Sequence, residues 1–312
     1  ILGGWLAGNF GFRSVFVVMA AVAALAVVLV FALTQESTAE ETPKMDWAGV
    51  VTLGIAFLAI YLAIDEVGAL AAANWGLVAI LVVIAVVFFV IFWNIESRKK
   101  DPMVTTHYLK QRRTWGLLLT TLLTMTGVFA IMNGVVPAIA QDPVMGVDMK
   151  PDMVSFATLT PYALLGLCFG PVAGVLASKF GYRSVLRAGL IVSIAGVLFG
   201  IFLSNNASIP SLVIISVVLG IAYAGTANIM LNGLGIVLSP EDNPGYLPGM
   251  NAGAFNLGAG LSFAVLYAVM DAFAMNGAQV GYSAAMIASA VLLGAALLVS
   301  LFIPKPSDAD NS

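Results

Sequence analysis

The sequence predicts an all-α polytopic membrane protein. Of its 312 residues, 61% are hydrophobic and 9% are charged, against about 25% charged in a soluble domain. The apolar residues fall in blocks of about 20, the helix length that crosses a hydrocarbon core of about 30 Å. Of the 13 Lys and Arg, all but Arg13 and Lys150 fall on one side when the connecting loops are numbered alternately. That asymmetry marks the rich side as cytoplasmic. The charge deficit excludes a water-soluble enzyme, a disordered chain and a nucleic-acid partner. The ten-residue alternation of a membrane β-barrel is absent.

The elements follow in chain order. A stub of about 1–9 comes first. Nine complete spans follow at 14–34, 48–64, 75–95, 115–140, 154–178, 185–204, 211–238, 250–274 and 282–303. Gly, Pro, Asn and Asp punctuate the short connections. Trp5, Trp47, Trp75, Trp93 and Trp115 fall near span ends, where indole rings prefer the headgroup level. The chain starts at Ile1 inside an apolar stretch, which reads as an N-terminal truncation. The segments Leu6–Val15 and Leu176–Val185 resemble each other, with a Gly for the reversal and then an Arg.

No charge lies at a span centre. Asp271, near the outer end of the eighth span, is the deepest acid and the candidate titrating group. Asn133, Thr226, Asn228, Asn232 and Asn256 lie within spans. Asn228 and Asn232 are four residues apart and share a helix face. Such amides either hydrogen-bond between helices or line a wet cavity. Gly166, Gly170 and Gly174 recur every four residues, as a helix–helix approach face requires. Pro137, Pro161 and Pro171 permit kinks. Cys168 reads as a buried packing residue and His107 as a solvated loop residue. One Cys and one His exclude an internal disulfide and argue against a metal site. Neither a cofactor motif nor an enzyme signature such as a P-loop or nucleophile elbow is present.

Several motifs resemble the major facilitator superfamily, in particular its drug:proton antiporter branch with fourteen spans. Ile1-Leu2-Gly3-Gly4-Trp5 resembles the end of the antiporter motif, leaving Gly3 and Gly4 as its remnant. Gly11-Phe12-Arg13 with Phe16, and Asp46-Trp47-Ala48-Gly49, resemble the starts of the family's sixth and seventh spans. Gln141 with Val144-Met145-Gly146 loosely resembles the element after the ninth. The most specific match runs from Gly174 to Arg183 and resembles the cytoplasmic loop motif, carried by Gly174, Ser178, Lys179, Gly181 and Arg183. Ser178 stands where the family has Asp, which removes a charge partner.

The resemblance implies a major-facilitator-like helical bundle of nine complete spans plus a stub, with a complete C-terminal six-helix domain. Residues 1–47 would close an N-terminal domain, 48–112 would hold two accessory spans and a basic loop, and 113–312 would form the six-helix domain. It further implies a multi-pass plasma-membrane protein with a cytoplasmic C-terminus. Its partners would be the lipid bilayer, a small-molecule substrate and protons. The implied activity is secondary active efflux of hydrophobic or amphipathic molecules by alternating access. Asn133, Tyr162, Asn228, Asn232 and Asn256 are the cavity candidates. The alternatives are a metabolite facilitator or exporter, and a non-transporting remnant or scaffold if the chain truly starts at Ile1.

Overall fold

The computed structural model describes residues 2–33, 46–69, 72–99, 104 and 106–306. Ile1, Lys44, Met45 and Lys100, which carry parts of the motif and charge readings, lie outside the described residues. Helices α1 (Leu2–Phe10), α2 (Phe12–Leu33), α3 (Trp47–Gly68), α4 (Trp75–Glu96) and the short α5 (Thr106–Leu109) precede six long ones. These are α6 (Arg112–Gln141), α7 (Pro151–Phe180), α8 (Tyr182–Asn205), α9 (Ile209–Val237), α10 (Tyr246–Ala274) and α11 (Ala278–Ser300). No strand occurs among the described residues. Nine helices there are long and apolar enough to cross a membrane. Each coincides with a span read from the sequence to within a few residues.

Helices α6–α11 form one bundle. Helix α6 packs against α10 and α11, α8 against α11 and α9, and α7 against α9. The shared core includes the fully buried Leu117, Met125, Met132, Leu190, Leu219 and Met230. Lipid tails are as apolar as leucine, so close packing and interhelical hydrogen bonds hold such a bundle rather than escape from water. Helices α3 and α4 pair with each other, and α3 docks along α10. At that seam a Cβ on Gly68 would lie 2.8 Å from the Ala268 Cβ. Helix α2 buries none of its residues. Cys168 is exposed rather than buried, because the face of α7 that carries it meets no neighbour.

Three of the long helices widen locally into π-helix: Ile131–Val135 in α6, Ser155–Leu159 in α7 and Gly220–Ala227 in α9. Two of them precede a proline, Pro137 and Pro161, whose missing N–H breaks the regular ladder. Side chains take up the freed backbone groups. Thr160 and Thr226 donate to carbonyls five residues back, at 3.0 and 2.8 Å. Ser262 of α10 accepts the Ala130 N–H at 2.8 Å.

The two similar segments fold alike. Gly11 and Gly181 have φ of +78° and +81°, and their N–H groups donate to Ala7 and Ala177 carbonyls at 3.1 and 2.8 Å. Both glycines end one helix and launch the next, a role that needs positive φ. Gly181→Ala should cost about 1–3 kcal/mol in backbone strain, read as a lowered melting temperature in detergent. Gly174→Ala is the control, since nothing lies within 4 Å of a Cβ there.

Candidate functional site

The cavity candidates fall on four helices of the bundle. Asn133 sits inside the π segment of α6, Tyr162 soon after that of α7, and Asn228 immediately after that of α9. Asn256 lies on α10. Asn133, Asn232 and Asn256 are exposed, and Asn228 and Tyr162 are half-buried. Each exposed amide donates its Nδ2 to the carbonyl four residues back, on Phe129, Asn228 and Ala252, at 2.9, 2.9 and 2.8 Å. Asn232 Nδ2 also donates to Asn228 Oδ1 at 3.1 Å, so these two form one amide pair. No hydrogen bond among the described residues joins Asn133 or Asn256 to that pair. Tyr162 lies against α9, where a Cβ on Gly220 would be 2.6 Å from its carbonyl oxygen.

A buried amide that does bridge helices, Asn251, is not among the cavity candidates. Asn251 is 1% exposed. Thr121 of α6 donates its hydroxyl to Asn251 Oδ1 at 2.6 Å, and Asn251 Nδ2 reaches the Leu231 carbonyl of α9 at 3.4 Å. It sits five residues before Asn256, about 140° round the same helix, so one amide points in and the other out. Asn251→Ala should cost about 1–2 kcal/mol, measured as a fall in thermal stability with insertion retained. The signal in the sequence was Asn251 itself, at the start of a span and facing no obvious partner.

Of the three regularly spaced glycines, Gly166 makes the close approach, with a Cβ there 2.7 Å from Ala224 Cβ. At Gly170 the nearest atom would be 3.8 Å away and at Gly174 the space is open. Helices α7 and α9 therefore diverge toward the basic side, and the spacing does not give one continuous approach face. In the loop motif, Ser178 and Lys179 are exposed and Arg183 is half-buried. Ser178 Oγ donates to the Val175 carbonyl at 2.8 Å, so it closes its own helix end where the family's Asp would hold a charge. Gly4 packs tightly, with a Cβ 3.0 Å from both the Pro151 carbonyl oxygen and Ser155 Oγ, whereas Gly3 is open. The motif remnant thus touches the start of α7.

Asp271 is exposed. With Asp65, Tyr61 and Tyr267 it lines a polar crevice of about 340 Å³ between α3 and α10. A larger apolar cleft of about 1050 Å³ opens between α3, α6 and α10 nearer the basic side, lined in part by Phe57, Trp115, Tyr246 and Met250. On the side away from the basic loops, Asp142 ties α6 to α11. Its Oδ1 accepts the Val144 and Met145 N–H groups at 2.9 and 3.0 Å, and Tyr282 donates to Oδ2 at 3.0 Å. The N–H groups of Met145 and Val144 hold its carboxyl below the usual carboxylate range in spite of partial burial. No cluster of three or more metal-ligating side chains occurs among the described residues.

Nine long apolar helices among the described residues, six of them packed as one bundle, define a polytopic membrane protein. The sequence profile of the Major Facilitator Superfamily matches residues 1–262 and again 117–312, and the chain belongs to that superfamily. It is 54% identical over 314 residues to the uridine/deoxyuridine transporter of Lactococcus lactis subsp. cremoris, covering 99% of this chain and 65% of that protein. It is 25% identical over 276 residues to multidrug resistance protein Stp of Mycobacterium tuberculosis, covering 87% of this chain and 49% of that one. Over 280 residues it is 27% identical to the tetracenomycin C resistance and export protein of Streptomyces glaucescens, covering 86% and 49%. The chain therefore spans roughly half to two thirds of the length of these relatives.

Proposed function

We propose that the full-length protein is a secondary transporter of uracil nucleosides, working by alternating access, with the nucleoside held against the amide-bearing surface of α6, α9 and α10. The observation that carries this is the Asn228–Asn232 pair, half-buried and exposed respectively and hydrogen-bonded to each other at 3.1 Å. An amide within a span is expensive against lipid, and these amides are not used as glue within the bundle. They suit an uncharged solute with its own donors and acceptors, as an imide base and sugar hydroxyls provide. A site built to hydrogen-bond such groups discriminates far better than an apolar one. The 54% identity to a protein named for uridine and deoxyuridine supports the same reading.

The second reading is proton-coupled efflux of hydrophobic or amphipathic molecules, as in the fourteen-span antiporter branch. It is favoured by the motifs around Gly4, Asp46 and Gly181 and by the more distant relatives. Both readings place the protein in the plasma membrane with its C-terminus on the cytoplasmic, Lys/Arg-rich side.

Radiolabelled uridine flux into vesicles holding the full-length protein decides between them. The nucleoside reading requires saturable uridine flux, competed by deoxyuridine and not by a lipophilic cationic dye. Dye flux without uridine flux supports the second reading and overturns the first. Collapse of the flux by a protonophore shows proton coupling in either case.

A further inference from the structure

At the basic-side ends of α3 and α4, two carboxylates meet out of reach of solvent. Asp46 caps α3, accepting the Gly49 N–H on Oδ1 at 2.8 Å. The Lys99 ammonium pairs with the same oxygen. Glu96 ends α4, is 1% exposed and accepts the Val104 N–H on Oε2 at 3.2 Å. The remaining oxygens, Asp46 Oδ2 and Glu96 Oε1, are both buried with no hydrogen-bond partner. They crowd one point: a Cβ on Gly49 would collide with Glu96 Oε1 and lie 2.8 Å from Asp46 Oδ2.

Two buried carboxylates in contact do not both ionise, and each buried oxygen left without a partner is destabilising. A single proton removes both penalties, because one carboxyl becomes the donor and the other its acceptor. Lys99 then balances the one negative charge that remains. Burial disfavours the Asp46 anion, but the Lys99 ammonium and the Gly49 N–H outweigh it and hold its carboxyl below the usual range. The proton therefore resides on Glu96.

We propose that Asp46 and Glu96 form a proton-binding site, one proton bridging Oδ2 and Oε1, and that this proton fastens the start of α3 to the end of α4. The other groups facing the site are Lys99, the Gly49 and Val104 N–H groups, and Tyr246 of α10, which is close enough to feel the Glu96 charge. Tyr108 lies tilted against Tyr246, with ring centroids 5.0 Å apart, and donates to Asp242. Lys44, Lys100 and Asp101 lie outside the described residues. Release of the proton to water leaves an uncompensated charge and drives the two carboxylates apart. Closure is therefore present below the titration of the pair and lost as pH rises through it. Val104 also borders the large cleft between α3, α6 and α10, so the site sits at that cleft's edge.

The test is pH-difference infrared spectroscopy on the full-length protein in lipid, with hydrogen exchange at the peptide holding Gly49, corrected for intrinsic rates. Wild type should show a protonated-carboxyl band that persists above the ordinary carboxylate range and bleaches as pH rises further, with exchange accelerating over the same interval. Glu96→Gln should lack the band and exchange slowly throughout, because its amide N–H replaces the proton. Asp46→Asn, whose amide donates to an ionised Glu96, should also lack it. A wild type with no titrating carboxyl band overturns the proposal, whatever the variants do. So does a band that survives both substitutions, or Glu96→Gln exchange that follows the wild-type pH dependence.

Discussion

Gly146→Ala is expected to leave little folded protein in the membrane. A Cβ at this position would collide with the Ile139 carbonyl oxygen and sit 2.6 Å from that of Asp142. Both are backbone atoms at the end of α6, so neither can swing aside. The Gly146 N–H donates to the Asp142 carbonyl at 3.1 Å, and Asp142 in turn holds Val144, Met145 and Tyr282. Relieving the clash means opening the turn and releasing the α6–α11 tie, at a cost of about 3 kcal/mol. Membrane yield and melting temperature read this directly, and a variant as stable as wild type refutes the crowded turn. Acid should weaken the same tie. The Asp142 carboxyl titrates below its ordinary value in the folded protein. Its stabilisation is therefore full above the unfolded value of about 3.9 and is lost as pH falls through the lowered one. Asp142→Asn should flatten that acid limb of the stability curve.

The paired substitution Asn228→Ala/Asn232→Ala should raise the KM for uridine about tenfold or more while leaving insertion and thermal stability near wild type. Each hydrogen bond to an uncharged partner is worth about 0.5–1.5 kcal/mol, so two lost together amount to about 1–3 kcal/mol, a factor of about 5 to 150 with its middle above ten. Stability should hold because, among the described residues, the hydrogen bonds of these amides stay within α9. This separates them from Asn251, whose loss should lower stability first. Unchanged uridine flux in the double variant would remove the pair from the substrate surface.

Much of the fold is legible in the chain. Block length sets the spans, and the positions of Asp46, Asn74 and Ser208 mark the helix starts that their side chains cap. The reversals at Gly11 and Gly181 are readable because positive φ leaves few other residues to choose from. The site is less legible. Asn251 and Asn256 are the same residue type on one helix, and which of them faces inward depends on neighbours that a local pattern does not specify. Gly166 and Gly174 share a spacing but not a neighbour, since the angle between α7 and α9 carries them apart. The Asp46–Glu96 contact joins positions fifty residues apart, each of which reads alone as an ordinary span end. The π segments leave no periodic trace; Pro137 and Pro161 hint at two of them, and the third, in α9, precedes no proline.

Those widened turns bear on how the chain tolerates changes in length. A π turn holds one residue more than the α turn it replaces. Removing one residue from Ile131–Val135 lets the turn close as regular helix and leaves Val136 onward facing as before. Removing one from a regular stretch of α6, such as Leu118, swings everything downstream round the axis by about 100°. Membrane spans are poor places for insertions and deletions for that reason. In this bundle, three short stretches are exempt: one holds Asn133, and the others lie just before Tyr162 and Asn228.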